Sequence, residues 1–122
     1  MRVLYIEDND QLRDAITMLL QGDGREIRAC VSAEEALALD APMPFDLVIT
    51  DVSLPGMSGL ELSARLLSAD NARWIVLCSG YQLEEQLAEL GGQNVRALVK
   101  PFGIDELEEL VSSVQASLAN PR

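Results

Sequence analysis

Four of the five apolar stretches in this chain are followed directly by residues that could do chemistry. Glu7 and Asp8 follow the first stretch, Asp51 the third and Ser79 the fourth. Lys100, the only lysine beside eight arginines, follows the fifth. Carboxylates, a hydroxyl and a compact cation are the groups that a site for a divalent cation and a phosphoryl group requires.

The chemistry available to these residues depends on their meeting in space. Three clustered carboxylates repel one another and raise each other's pKa values, and a hard cation such as Mg²⁺ relieves that repulsion. With Mg²⁺ held by Asp8 and Asp51, an anionic phosphoryl group could approach. Lys100 would place positive charge on the phosphoryl oxygens, and Ser79 would supply a neutral donor. A carboxylate such as Asp51 can attack phosphorus and form an acyl phosphate.

The apolar stretches that precede these residues have the pattern of strands. The first, third and fourth are nearly continuous, which is typical of strands covered on both faces of a parallel sheet. The second alternates apolar and polar residues, which indicates a half-exposed edge strand. The predicted strands are Val3–Ile6, Ile27–Val31, Leu47–Thr50, Trp74–Cys78 and Val95–Val99.

A helical pattern follows every predicted strand. Asn9 or Asp10 is the expected cap of the first helix, Ser32 with Glu35 predicts a capping box in the second, and Gly91 ends the fourth. The predicted apolar residues are Leu12, Ile16, Leu19 and Leu20 in the first helix, Leu60 to Leu67 in the third, Leu83, Leu87 and Leu90 in the fourth, and Ile104, Leu107, Leu110, Val111, Val114 and Leu118 in the fifth.

Five strand–helix units predict an α/β protein with a parallel sheet and helices on both faces. Five units are too few for a closed barrel of eight strands. We therefore expect a doubly wound (βα)₅ fold with a five-stranded parallel sheet in the flavodoxin-like order 2-1-3-4-5. The carboxyl ends of parallel strands meet at one edge, so the polar residues should converge there.

Length and composition exclude several classes of function. A chain of 122 residues is typical of one domain. The net charge of −11 argues against contact with nucleic acid or an anionic membrane surface. No apolar run approaches the ~20 residues of a spanning helix, and the N-terminus does not resemble a signal peptide.

Histidine and cysteine usage narrows the chemistry further. Histidine is absent, which removes Ser-His-Asp and Cys-His catalysis and His-ligated metals. For Cys30 and Cys78, buried free thiols in a reducing cytosol are favoured over a disulfide or a metal site, so we expect a cytoplasmic protein.

Together the motifs resemble the receiver (response regulator) domain of two-component signalling, over essentially the full chain. The matching segments are Glu7-Asp8, the run from Asp51 to Gly59, Ser79-Gly80 and Lys100-Pro101-Phe102. The resemblance implies that Asp51 accepts a phosphoryl group from a phosphohistidine on a histidine kinase or a histidine phosphotransfer protein. It implies a signalling domain, not an enzyme acting on other substrates, that switches conformation to control a partner.

The resemblance also implies how the site works. Asp8, Asp51 and the backbone carbonyl of Ser53 would ligate Mg²⁺, for which Mn²⁺ may substitute, and Glu7 would act through water. Ser79 and Lys100 would contact the phosphoryl group, and the Lys100-Pro101 bond is expected to be cis. The face formed by helix 4, strand 5 and helix 5 is the usual output face of receivers, so the protein is expected to be a monomer or a weak homodimer.

The sequence departs from the usual receiver pattern at one position. Receivers usually carry Tyr or Phe three residues before the lysine, where this chain has Ala97. Tyr81 instead follows Ser79 by two residues. This combination is similar to a receiver subclass often attached to histidine kinases, as in hybrid histidine kinases. Tyr81 is either an ordinary loop aromatic or a substitute for the missing switch.

Three other functions share parts of this pattern with the receiver. An Mg²⁺-dependent phosphohydrolase typically has a second Asp two residues after its nucleophile, where this chain has Ser53. A flavodoxin-type FMN carrier needs a hydroxyl-rich loop after strand 1, where the acidic run from Glu7 to Asp10 would repel phosphate. A docking module would never turn over phosphate, and the intact acidic set counts against it.

The expected domain organisation is a single receiver domain over residues 1–122 with no output domain. A natural single-domain regulator and a receiver excised from a longer hybrid kinase would give the same sequence.

Overall fold

The computed structural model describes residues 1–22 and 24–119, so Asp23 and the last three residues of the expected domain lie outside the described residues. Strands and helices alternate through the described chain. The strands are β1 (Arg2–Ile6), β2 (Glu26–Cys30), β3 (Leu47–Asp51), β4 (Trp74–Ser79) and β5 (Val95–Val99). The helices are α1 (Asp10–Leu20), α2 (Ala33–Asp40), α3 (Gly59–Ala69), α4 (Glu84–Leu90) and α5 (Ile104–Ala119).

The strands form one parallel sheet in the order β2-β1-β3-β4-β5, which confirms the predicted fold class and order. The register aligns the carboxyl ends of the strands. Asp51 lies beside Cys78 of β4, and Ser79 lies beside Val99 of β5. The residues that follow these strands are therefore held at a common edge of the sheet.

Two hydrophobic clusters, one on each face of the sheet, make up the core. The first lies between the sheet and the helices α2 and α3, with Leu87 and Leu90 of α4 packed against it, and the second lies between the sheet and the helices α1 and α5. Strand β2 alternates between exposed and half-buried residues, as predicted for an edge strand. The helical residues buried in the first cluster are Ala33, Ala36, Leu62, Leu66 and Leu67, and those in the second are Ile16, Leu20, Leu107, Val111 and Val114.

The helix caps follow from short polar side chains. The Asn9 side chain accepts a hydrogen bond from the Leu12 N–H at 2.9 Å, and the Ser32 hydroxyl accepts one from the Glu35 N–H at 3.1 Å. Helix α4 begins after Leu83 with no side-chain cap and ends at Gly91, whose φ is 68°. Such caps satisfy backbone groups that a helix end leaves unpaired, and α4 lacks this stabilisation at its start.

The predicted apolar face of α1 is wrong in part. Ile16 and Leu20 are buried, but Leu12 is 41% exposed and Leu19 is 58% exposed. Helix α1 meets the sheet through the single pair Ile16 and Leu20, one turn apart. Leu12 instead lines a cleft at the sheet edge. Helical spacing therefore predicts which apolar residues share a face of α1, but not how many of them are buried.

Both cysteines are buried free thiols, as predicted. Burial raises the pKa of Cys30 to about 11 and that of Cys78 to about 12, so neither thiol ionises at neutral pH. Within residues 1–22 and 24–119, no helix is both long and apolar enough to span a bilayer.

Candidate functional site

Asp51, the last residue of β3, forms an ion pair with Lys100, which follows β5. The Lys100 Nζ lies 2.9 Å from Asp51 Oδ1, and the Asp51 side chain is 8% exposed. Burial lowers the pKa of the Lys100 ammonium, but the hydrogen bond to Asp51 and the nearby negative charges outweigh it, and the net pKa is raised. The lysine therefore stands beside the carboxylate as a fixed positive charge. The Lys100-Pro101 bond is cis, as the resemblance implied.

Three carboxylates meet next to this ion pair. One oxygen each of Glu7, Asp8 and Asp51 lies within 4.8 Å of the others. Glu7 is buried, and burial, followed by its hydrogen bond with Asp51, raises its pKa to about 7, although the Asn9 N–H at 3.1 Å opposes this rise. Carboxylates this close compete for one proton unless a cation balances their charge.

The donor set fits a hard divalent cation. Glu7 and Asp51 are buried, whereas Asp8 is exposed and open to water. Mg²⁺ prefers oxygen ligands, binds through one or two carboxylates and keeps several of its waters. The acidic cluster therefore matches Mg²⁺ better than a softer metal, which would need sulfur or imidazole.

Ser79 ends β4 at the same edge of the sheet, but its hydroxyl is held by its own loop. The hydroxyl donates to the Tyr81 carbonyl oxygen and accepts a hydrogen bond from the Tyr81 N–H at 3.2 Å. Ser79 is buried, whereas half of Tyr81 is exposed. The hydroxyl would therefore have to exchange partners before it could contact a group bound at Asp51.

The loop from Val52 to Ser58 lies beside the acidic cluster. Ser53 is exposed and borders a shallow depression together with Asp8 and Tyr81. The Gly59 N–H donates to the Val52 carbonyl at 2.9 Å, and a Cβ on Gly59 would lie 2.1 Å from the Asp51 carbonyl oxygen. Only glycine can bring the start of α3 this close to the end of β3.

The structure thus brings Glu7, Asp8, Asp51 and Lys100 together as predicted. Ser79 lies at the end of β4 and Ser53 in the loop after β3. Sequence reasoning missed one buried residue at this edge. The Thr50 hydroxyl donates to the Asp51 carbonyl at 2.9 Å and is fully buried. The sequence did contain a sign of this role, because Thr50 is a lone hydroxyl residue in an apolar strand and directly precedes the candidate acceptor Asp51.

A cleft of about 550 Å³ opens beside Asp51 and Lys100. Its walls are mainly apolar, and they come from β1, β3, β4, α1, α5 and the residues between Lys100 and α5. The apolar lining residues are Tyr5, Leu12, Ile16, Ile49, Pro101, Phe102, Ile104 and Leu107. Asp51, Lys100 and Glu7 therefore lie at the polar end of a largely apolar cleft.

A parallel α/β sheet with an acidic cluster and a lysine at its carboxyl edge defines the class of protein. The family model for the response regulator receiver domain matches residues 3–112, and the chain belongs to this family. This match confirms the resemblance drawn from the motifs and sets aside the flavin carrier and the phosphohydrolase.

Two relatives illustrate where such domains occur. The virulence sensor protein BvgS of Bordetella pertussis is 34% identical to the chain, over 99% of the chain and 10% of that protein. The response regulator protein FleR of Pseudomonas aeruginosa is 36% identical, over 91% of the chain and 24% of that protein. The chain therefore spans a quarter or less of the length of these two relatives.

Solved structures show the same fold. The response regulator TrrA of Thermotoga maritima, in complex with Mg²⁺ and BeF, is 32% identical with a TM-score of 0.78, over 93% of the chain and 97% of that structure. The receiver domain of the hybrid histidine kinase CckA is 29% identical with a TM-score of 0.77, over 93% and 98% respectively. The similar proteins thus include both response regulators and a hybrid kinase receiver, as the resemblance implied.

Proposed function

We propose that Asp51 is the phosphoacceptor of this receiver and that a phosphohistidine on a histidine kinase or histidine phosphotransfer protein is its donor. The position of Asp51 carries the proposal. Its carboxylate is buried, lies 2.9 Å from the only lysine of the chain, and shares a cluster with Glu7 and Asp8. A carboxylate between a fixed cation and a metal-binding cluster is suited to attack a phosphoryl group.

Asp8, Asp51 and the backbone carbonyl of Ser53 would hold Mg²⁺, and Glu7 would act through a bound water. Mn²⁺ takes the same oxygen ligands and is expected to substitute. When bound, the cation neutralises part of the acidic cluster, so that an anionic phosphoryl group can approach. The TrrA complex with Mg²⁺ and BeF supports this assignment by similarity.

Asp51, Lys100 and Ser79 have separate roles in the transfer of the phosphoryl group. A carboxylate oxygen of Asp51 attacks phosphorus, the phosphorus–nitrogen bond to the donor histidine breaks, and its electron pair stays on the imidazole. Lys100 keeps its proton, and its ammonium, which lies beside Asp51, also contacts the phosphoryl oxygens and stabilises their negative charge. The Ser79 hydroxyl gives up the Tyr81 carbonyl and donates to a phosphoryl oxygen. This exchange links phosphorylation to the loop after β4.

The receiver would promote only its own phosphorylation and dephosphorylation, and its conformational change would control a partner. The partner is a downstream effector or a parent kinase. The net charge of −11 argues against nucleic acid as that partner. The two buried free thiols agree with a reducing, cytoplasmic location.

Intact mass spectrometry after incubation with acetyl phosphate tests the assignment. The parent should gain one phosphoryl group in the presence of Mg²⁺ or Mn²⁺ and none in the presence of a chelator. Asp51→Asn should gain none, because an amide is a poor nucleophile. Asp14→Asn, an exposed acid on α1, is the matched control and should label like the parent. Full labelling of Asp51→Asn, or labelling that a chelator does not affect, would contradict the proposal.

A further inference from the structure

Glu34 stands outside the acidic cluster, yet it contacts the loop that carries Ser53. It lies in the first turn of α2, and its Oε2 accepts a hydrogen bond from the Met57 N–H at 3.1 Å. A Cβ on Gly56 would lie 2.7 Å from the same oxygen, and the φ of Gly56 is 76°. The carboxylate therefore lies directly against the loop backbone, at a residue whose conformation favours glycine.

The loop has few other attachments. Its base is closed by the bond from Gly59 to Val52, and its side chains Leu54 and Met57 pack on the hydrophobic core. Among the described residues, the backbone of residues 53–57 makes one hydrogen bond, the one to Glu34. Packing limits how far the loop moves, but it does not fix where a carbonyl points. A hydrogen bond to the loop backbone can do so.

The charge of Glu34 strengthens this contact. The hydrogen bond from Met57 lowers the pKa of Glu34, so the side chain is ionised at neutral pH. A hydrogen bond to an ionised acceptor is stronger than one between neutral groups. The hydrogen bond also ties the loop to α2, which is anchored in the core through its buried residues Ala33 and Ala36.

We propose that Glu34 is a positioning residue for the cation and phosphoryl site. It holds residues 53–57 so that the Ser53 carbonyl is presented beside Asp8 and Asp51 before the cation binds. The inference rests on the proposed function, since it assigns Glu34 a role at that same site. Such outer contacts around metal ligands commonly tune metal affinity.

Three variants separate the hydrogen bond from the charge. Glu34→Ala removes both, whereas Glu34→Gln keeps an oxygen that can accept from Met57. Glu35→Ala is the matched control, because Glu35 is the next exposed acid in the same helical turn. Its side chain makes no hydrogen bond in the described part of the chain, so its loss changes only the charge at the start of α2.

Two measurements read out the effect. Calorimetry gives the Mg²⁺ dissociation constant, and hydrogen exchange gives the protection of the Met57 amide without Mg²⁺. Glu34→Ala should weaken Mg²⁺ binding about two- to tenfold, the range set by one hydrogen bond, and should speed Met57 exchange by a similar factor. Glu34→Gln should fall between the parent and Glu34→Ala in both properties, because a neutral acceptor forms a weaker hydrogen bond, and Glu35→Ala should match the parent. Thermal unfolding should show that all three variants fold.

The outcomes distinguish this inference from the proposed function. If Glu34→Ala behaves like Glu35→Ala, or if Glu34→Gln is as weak as Glu34→Ala, the positioning role is wrong while the parent still binds Mg²⁺ and labels at Asp51. If the parent neither binds Mg²⁺ nor labels at Asp51, the proposed function itself fails. The Met57 amide should exchange more slowly in the parent than in Glu34→Ala even without Mg²⁺. That result supports the positioning role of Glu34 before any cation binds.

Discussion

The position of Lys100 beside Asp51 requires lysine and does not suit arginine. Its ammonium reaches Asp51 at 2.9 Å on a flexible stem, in a half-buried position. Arginine would keep the charge but spread it over a planar fork that cannot occupy the same point beside the carboxylate. The position therefore selects lysine through shape as well as charge.

We expect Lys100→Arg to slow phosphorylation by acetyl phosphate about tenfold, because a misplaced cation stabilises the transferring phosphoryl group less well. Mg²⁺ affinity should change less, since the carboxylates that would hold the cation are untouched. Rates of labelling, set beside calorimetric Mg²⁺ binding, check both statements. Arg28→Lys, a conservative exchange on the exposed part of β2, serves as the control. Equal rates for Lys100→Arg and the parent would contradict the role of lysine here.

The sequence could predict which side chains meet at the site only for residues that a strand positions. Asp51 ends β3 and Lys100 directly follows β5, so fold geometry alone brings them to one edge of the parallel sheet. The bonds from Ser79 to Tyr81 and from Glu34 to Met57 depend on the paths of loops. Those paths are set by packing and by glycine conformations that no local pattern in the sequence specifies.

At the scale of elements, the segment that runs from the end of β4 through α4 is weakly anchored. Helix α4 has 7 residues, none of them buried, and no side-chain cap. By contrast, α3 has 11 residues, five of them buried, and is capped by Ser58. Elements with few buried contacts open at lower free energy than well-packed ones.

This difference predicts where the domain responds to phosphorylation. Residues 79–90 should exchange their amide hydrogens fastest in the unphosphorylated state and gain protection with beryllofluoride and Mg²⁺. The cause is the exchange of the Ser79 hydroxyl from the Tyr81 carbonyl to the bound group, which shifts the loop between pre-existing states. Ala97 on β5 has no rotatable side chain to take over this role.

Hydrogen exchange followed by mass spectrometry measures both states, and α3 serves as the internal reference. Unchanged protection over residues 79–90, with changes confined to α1 or α3, would show that the signal leaves the site by another route. A variant with Ser79→Ala should lose most of the gain in protection, because it removes the hydroxyl that couples the loop to the site.

The elements themselves were largely predictable. Each predicted strand agrees with the observed one to within one residue at each end, because apolar runs bounded by polar residues define buried strands well. The face of α1 was less predictable. Leu12 and Leu19 fit the helical stripe, but the position of α5 and the intervening cleft decide how much of that stripe is covered.

At the scale of the whole molecule, α4 and α5, which border the expected output face, carry seven of the chain's 20 acidic residues. The acids of α4 are Glu84, Glu85 and Glu89, and those of α5 are Asp105, Glu106, Glu108 and Glu109. Arg96 is the one basic residue within α4, β5 and α5, and of these acids Glu108 alone has an ion-pair partner, Arg25, among the described residues. Two copies meeting through this face would therefore bring like charges together.

This charge distribution predicts that salt governs self-association. The protein should be monomeric at low salt, with or without beryllofluoride, because repulsion between exposed charges reaches about 30 Å at 0.01 M salt but only about 10 Å at 0.1 M. Light scattering at low and high salt measures this directly, and any homodimer should strengthen as salt rises. Replacing Glu85 and Glu109 by Gln should favour association, whereas replacing Glu26 and Glu35, on β2 and α2, should not. A dimer that is strongest at low salt would instead require attractive charge pairs across the interface, and the acidic face would then not be the surface that joins the copies.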